Sequence, residues 1–250
     1  MKRATIYAIW HGKGGVGKTT TTHYTATRLA EGGRRVLTID MDPQHGLTKL
    51  CCPLRRGRNG HALTIGSVLG GSVAPTATLS QAALPTEAGY SIVPASLDLS
   101  NVAAGLERRH FGRLDALDKA IKMEAENWDF ILIDCPPDTD ILPINALVAA
   151  DGVIIPCEPE PLAIAGLAQV TDVLAQVEQA RGVSIRREIV ATKVDGRTLQ
   201  HQDGLTSLRR AGAVVIIPRR NGTDATGELR SAYRLLAERL LQAGVSHAPA

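Results

Sequence analysis

The sequence predicts an α/β chain: a mostly parallel, twisted sheet with helices on both faces. Three observations predict it. Apolar runs of strand length alternate with helical patterns along the chain. Most of those runs are unbroken Ile, Val and Leu, as a sheet covered on both faces requires. A glycine-rich stretch lies between the first run and the first helical pattern, where open sheets of this kind bind phosphate.

Taken in order, the candidate strands are Thr5–Trp10, Arg35–Ile39, Tyr90–Pro94, Phe130–Asp134, Gly152–Pro156, Arg187–Thr192 and Ala213–Ile217. The helical patterns between them are Lys18–Glu31, Leu114–Asn127, Leu162–Arg181, Leu199–Ala211 and Glu228–Gln242. Cys51–Gly89 is rich in Gly, Pro, Ser, Thr and Ala, with a basic cluster at Arg55, Arg56 and Arg58, and reads as a solvated connector. Residues 1–250 are expected to form one unit with a frayed tail at 245–250.

Composition narrows the function classes. The chain is 44% hydrophobic and only 3% aromatic, so aliphatic residues must fill the core. A net charge of +3 is too small to argue for nucleic acid by itself. Cys51, Cys52, Cys135 and Cys157 make no CxxC pair and no metal-ligand spacing, so reduced cysteines are expected. The apolar run after Met1 passes straight into glycines, which reads as a strand rather than a signal peptide. No run approaches the ~20 apolar residues of a membrane span. A soluble, cytoplasmic protein is expected.

Gly12-Lys13-Gly14-Gly15-Val16-Gly17-Lys18-Thr19 fits G-x-x-x-x-G-K-[ST] in full, after a strand and before a helix. Glycines let successive backbone N–H groups converge on phosphate oxygens, and the helix N-terminus adds a favourable dipole. The nucleotide-binding residues are therefore Gly14, Gly15, Val16, Gly17, Lys18, Thr19 and Thr20. Lys18 is expected on the β- and γ-phosphates of ATP and the Thr19 hydroxyl on Mg²⁺. Carboxylates must meet that metal. Asp40 and Asp42 end one buried run two residues apart, hence on the same side of an extended segment. Asp134 ends another, after four apolar residues, in the pattern of a metal-holding strand end.

Lys13 is a second lysine inside the loop. The stretch Lys13–Thr20, KGGVGKTT, resembles the deviant Walker A motif of the ParA/MinD family of ATPases. Asp40-Met41-Asp42-Pro43-Gln44 is similar to that family's D-x-D-P-Q segment, and Asp134-Cys135-Pro136-Pro137 to its D-x-P-P switch. The resemblance implies that Lys13 reaches the partner's phosphates in an ATP-bound homodimer. It also implies that Asp42 positions the attacking water, with Lys18 assisting catalysis. Thr19, Asp40 and Asp134 are then the metal residues.

Further likeness points to the partition branch. It lies in Tyr90–Leu99, Asn145-Ala146-Leu147, Ala149-Ala150-Asp151, Ile155–Glu160 and Ala165-Gly166-Leu167, and it covers roughly residues 5–242. The resemblance carries the base contacts to Lys193 and Pro218, although His11-Gly12 departs from that branch and Thr192–Asp195 is an atypical base-proximal segment. Asp138-Thr139-Asp140 adds acid to the switch. The chain starts at its first strand, so the helix-turn-helix extension of larger partition ATPases is not expected. The branch implies non-specific DNA binding through late arginines: Arg197, Arg209, Arg210, Arg219, Arg220, Arg230 and Arg234, with Arg239 nearby. It also implies nucleoid association and a ParB-like or other cargo-adaptor partner.

Two alternatives stand beside it. One is a MinD-like membrane ATPase. The stripe Leu229, Ala232, Tyr233, Leu236 and Leu240 instead reads as a helix packed on the sheet, and no membrane partner is expected. The other is an ATP-dependent metabolic or metallocluster-assembly enzyme on the same fold.

Overall fold

A computed structural model of the chain describes residues 3–51, 63–70, 75–213, 215–219 and 225–245. Within them the strands are β1 (Thr5–Ile9), β2 (Val36–Asp40), β3 (Leu84–Pro85), β4 (Ser91–Val93), β5 (Phe130–Asp134), β6 (Gly152–Cys157), β7 (Arg186–Val194) and β8 (Val215–Pro218). They form one sheet in the order β3-β4-β2-β5-β1-β6-β7-β8. Every pairing is parallel except that of the two-residue β3 with β4. The unbroken apolar runs make this sheet: all five residues of β5 and of β2, and all six of β6, are buried.

Successive side chains of a strand point to opposite faces. Ile6, Ala8 and Trp10 accordingly enter one apolar cluster while Tyr7 and Ile9 enter another. On the second face lie α1 (Lys18–Glu31) and α10 (Ala225–Val245), which supply Ala26, Leu29, Tyr233, Leu236 and Leu240. The stripe read on Glu228–Gln242 is therefore core: Tyr233 is 1% exposed and stacks on Tyr24 with ring centroids 5.1 Å apart.

The first face carries more helices than the sequence predicted. They are α3 (Ile65–Leu69), α4 (Leu79–Ala82), α5 (Leu99–Glu107), α6 (Ala116–Lys122), α7 (Ile141–Ala149) and α8 (Pro161–Arg181). α9 (Leu199–Arg210) packs against α8 and β7. The expected helix Leu114–Asn127 is in fact α6 followed by a 3₁₀ turn at Ala125–Asn127. The expected solvated connector needs correction where it is described. Ile65, Val68, Leu69, Leu79 and Ala82 are buried in the core, because α3 and α4 fold over the sheet under Thr64 and Thr78 capping boxes. Arg55, Arg56, Arg58, Cys52, Arg220 and 246–250 lie outside the described residues. Cys135 and Cys157 are buried free thiols, and no described helix is long and apolar enough to cross a membrane.

Candidate functional site: a phosphate loop with two buried aspartates

The site lies where β1, β2 and β5 end. These strands run parallel in register, with Ile9 beside Asp134 and Asp134 beside Asp40. The loop Gly12–Gly17 leaves β1 and enters α1. Gly15 and Gly17 take φ of 80° and 94°, left-handed conformations that side chains resist, so the loop's sharp reversal needs glycine there. Gly14 and Gly15 are exposed and Val16 is buried, anchoring the loop. Thr20 is exposed beside it.

Beneath the loop, Thr19 Oγ1 donates to Asp134 Oδ2 at 2.8 Å, and Thr22 Oγ1 to Asp134 Oδ1 at 3.1 Å. Burial pushes the Asp134 carboxyl up to about 8, the neighbouring Asp40 adds to the rise, and the two hydroxyls oppose it. Asp40 is also fully buried and raised by burial. It is better served, however. Oδ2 accepts the Thr48 N–H at 2.9 Å and the Thr48 hydroxyl at 2.7 Å, and Oδ1 accepts the Asp42 N–H at 3.2 Å. Both Asp40 oxygens thus tie the segment after β2 to α2 (Gly46–Cys51). Asp42 itself is half-buried and caps its own turn, accepting the Gln44 N–H at 2.8 Å.

Lys18 is 7% exposed. Its ammonium donates to the carbonyls of Lys13 at 3.1 Å and His11 at 3.3 Å. Burial lowers its pKa, and the nearby Asp134 and Asp42 counter this. Lys13 behaves differently. Its Nζ meets Glu160 Oε2 at 3.1 Å, with both side chains partly in water, and this contact holds the Glu160 carboxyl below its usual range.

Three residues with no expected site role hold the loop. His11 is fully buried, accepting the Lys13 N–H on Nδ1 at 2.9 Å while Nε2 lies 3.2 Å from the Ala163 carbonyl. That pattern makes the ring a neutral Nε2–H tautomer, in keeping with a pKa lowered by burial. The ring rests on Gly166 of α8, where a Cβ would come within 2.8 Å of it. Thr192 Oγ1 donates to the Val16 carbonyl at 2.8 Å. Glu158, 8% exposed, pairs with Lys193 at 2.7 Å. Glu158 and Glu160 follow β6 two residues apart, the same spacing as Asp40 and Asp42, and that was the available signal.

Lys193, next to last in β7, takes φ of 51°, and its Nζ donates to the Gly15 carbonyl and to Glu158. Pro218 ends β8, opposite Val194, and is partly buried.

The arginines do not form one patch. Arg197 pairs with Asp195 at 3.0 Å, Arg234 with Glu238 at 3.0 Å and Arg239 with Glu188 at 3.1 Å. Arg209, Arg210, Arg219 and Arg230 are exposed with no ion pair among the described residues. Arg209 and Arg210 end α9, which runs back toward the start of β8. Arg219 and Arg197 sit at the strands' other end, about 18 Å away along the helix.

With this geometry in view, comparison with known proteins is informative. A family model described as an AAA domain matches residues 4–187. The chain is 40% identical over 181 residues to the chromosome partitioning protein ParA of Caulobacter vibrioides, covering 71% of this chain and 63% of that protein. It is 36% identical over 212 residues to the chromosome-partitioning ATPase Soj of Thermus thermophilus, covering 84% and 78%. Among solved structures it is similar to a cobyrinic acid a,c-diamide synthase from Mycobacterium smegmatis with bound ATP analogue and magnesium. There the TM-score is 0.84 at 32% identity, over 98% of this chain and 97% of that one. The parallel sheet, the glycine loop between β1 and α1 and the aspartates ending β2 and β5 agree with these matches: the chain belongs to the ParA type of the ParA/MinD family of P-loop ATPases.

Proposed function

We propose that this chain is a Mg·ATP-dependent switch of the partition type. It pairs with a second copy when ATP is bound, holds DNA without sequence preference and positions a plasmid, a chromosome or another cargo through an adaptor protein. One observation carries the nucleotide half of this reading: Thr19 and Asp134 meet at 2.8 Å under the loop, and the Asp134 carboxyl is buried where it ionises with difficulty. A hydroxyl and a carboxylate of this kind suit a divalent cation, whose charge would offset the cost of ionising Asp134.

Bound Mg·ATP supplies the reacting phosphoryl group and the charge that polarises it. The chain's own residues do the rest. Backbone N–H groups from Gly14 to Thr20 receive the phosphates, and Lys18 turns from the His11 and Lys13 carbonyls toward them. Thr19 and Asp134 would hold the metal, and Asp40 supports that arrangement by fixing the segment that bears Asp42. Asp42 orients the attacking water. Lys193 and Pro218 border the nucleotide at the ends of β7 and β8. Lys13 exchanges Glu160 for the phosphates of the second copy, so assembly and nucleotide state are coupled.

DNA contact draws on the exposed Arg209, Arg210, Arg219 and Arg230, meeting phosphates rather than bases, with steep salt dependence. The deciding experiment is an ATP-dependent mobility shift of random-sequence DNA over a salt series. A shift that needs ATP, weakens with salt and disappears in Lys13→Ala is expected. Absence of any shift at low salt would sink the DNA reading.

The likeness to the M. smegmatis synthase favours a second reading, an ATP-dependent metabolic enzyme on the same fold. In that case ATP turnover would rise with a small carboxylic acid substrate and ignore DNA.

A further inference from the structure

A cleft of about 700 Å³ opens between α3–α4 and α6, on the outer side of the helical layer. None of its lining residues belongs to the phosphate loop. Met123 and Glu124 at its edge precede the start of β5, the end of the sheet opposite Asp134.

The cleft is lined by Val68, Leu69, Leu79, Ala116 and Ala120. Phe111 and Met123 also line it, 91% and 80% exposed. The chain has only two phenylalanines, and the other, Phe130, is buried in the sheet. So large an apolar side chain left in water forgoes the gain of its burial. Two such side chains beside an apolar cleft mark a contact surface.

Charge identifies what fits it. The segment Arg108-Arg109-His110-Phe111-Gly112-Arg113-Leu114 has three arginines and no acid. Arg109 Nη2 donates to the Leu69 carbonyl at 3.1 Å. Arg108 and Arg113 are exposed and make no ion pair among the described residues. On α6 the lysines are already neutralised, Lys119 by Asp115 at 3.0 Å and Lys122 by Asp118 at 2.7 Å. The positive charge is thus confined to one loop beside an apolar slot. With those pairs neutral, Glu124 in the lining and Glu126 beside it would repel an extended polyanion such as DNA or an anionic membrane.

We propose that this cleft docks a short acidic segment of a partner protein. An apolar side chain of the segment enters between Phe111 and Met123, and carboxylates beside it meet Arg108 and Arg113. The surface is independent of the nucleotide site, so the two readings fail separately.

The test places the photo-crosslinking residue p-benzoylphenylalanine at Phe111 in the full chain, in the cells that encode it, with the same residue at Leu235 of α10 as control. Cross-linked segments are sequenced, and the captured segment is made as a labelled peptide for anisotropy titration. The expected result is a net-acidic segment of another protein carrying an apolar anchor. Its binding should weaken at least tenfold in both Phe111→Ser and Arg113→Glu. The Arg113→Glu loss should be recovered by a peptide with lysine in place of its carboxylates. ATP turnover of Phe111→Ser should match the parent, showing that the variant is folded. Adducts with a second copy of this chain, a basic segment, nucleic acid or lipid would overturn the proposal. So would adducts no stronger than at Leu235, or peptide affinity untouched by either substitution.

Discussion

Lys18 and Lys13 leave one loop five residues apart, yet their surroundings are opposites. Lys18 is sunk in the floor of the site, hydrogen-bonded to carbonyls, with buried carboxylates close by. Lys13 stands at the rim, stretched to Glu160 where water reaches both groups. The floor is built of groups that burial has made reluctant to carry charge, so a bound ion changes their energetics greatly. The rim pair is already complete and screened by solvent, so exchanging one partner for another costs little. In the proposed function, binding belongs to the floor and switching to the rim.

The contrast can be tested from its strongest side. Lys18→Ala removes the ammonium while leaving the fold of the loop, and ATP hydrolysis is expected to fall by at least about a hundredfold. Steady-state turnover that stayed within tenfold of the parent would erase the distinction between floor and rim.

The next effect concerns Asp134. Its carboxyl is raised from the ordinary 3.8 to about 8, so the nucleotide-free fold binds this proton more tightly than the unfolded chain does. The resulting stabilisation is complete below pH 4 and is lost progressively as pH rises toward 8. The slope is at most about 1.4 kcal/mol per pH unit, or roughly 3–5 °C in Tm for a chain of this size. Melting curves of the nucleotide-free protein between pH 6.5 and 8.5 should show that decline, and Asp134→Asn should flatten it while abolishing magnesium-dependent ATP turnover. His11 and His23, whose pKa values burial lowers, oppose it mainly at more acidic pH.

The smallest effect is at the rim. Glu160→Gln frees Lys13 from a pair worth about 0.5 kcal/mol, since both members are partly in solvent. ATP-dependent dimerisation, followed by sedimentation, should tighten by about two- to threefold with Tm nearly unchanged. A loss of several degrees would mean that the pair holds the loop together and belongs with the floor.

How much of this was readable beforehand follows the same division. β5 and α1 form over the residues their patterns marked, because each pattern is long, uniform and bounded by a change of composition. α7 escaped notice because ILPINALVA is apolar on nearly every side and carries no helical period. α3 and α4 span five and four residues, too short for any period to register, so a stretch with core residues passed for a connector. At the site, Lys18, Thr19 and Asp134 were legible from residue type and spacing alone. The Asp40–Thr48 bonds and the seating of His11 on Ala163 depend on which loops come together, and no local pattern encodes that.

α8 gains a meaning from its two ends. Near its first turns His11 sits on Gly166 and reaches the Ala163 carbonyl, joining the helix to the glycine loop. At its last turn Arg181 donates to the carbonyls of Leu147 and Ala150, joining it to the end of α7. The helix is 21 residues long, a rod of about 30 Å. A rod clamped at both ends has no loose hinge: if the glycine loop shifts at one end, α7 must yield or the whole strut must travel. The imidazole is then the pin that joins the glycine loop to a strut whose far end holds α7.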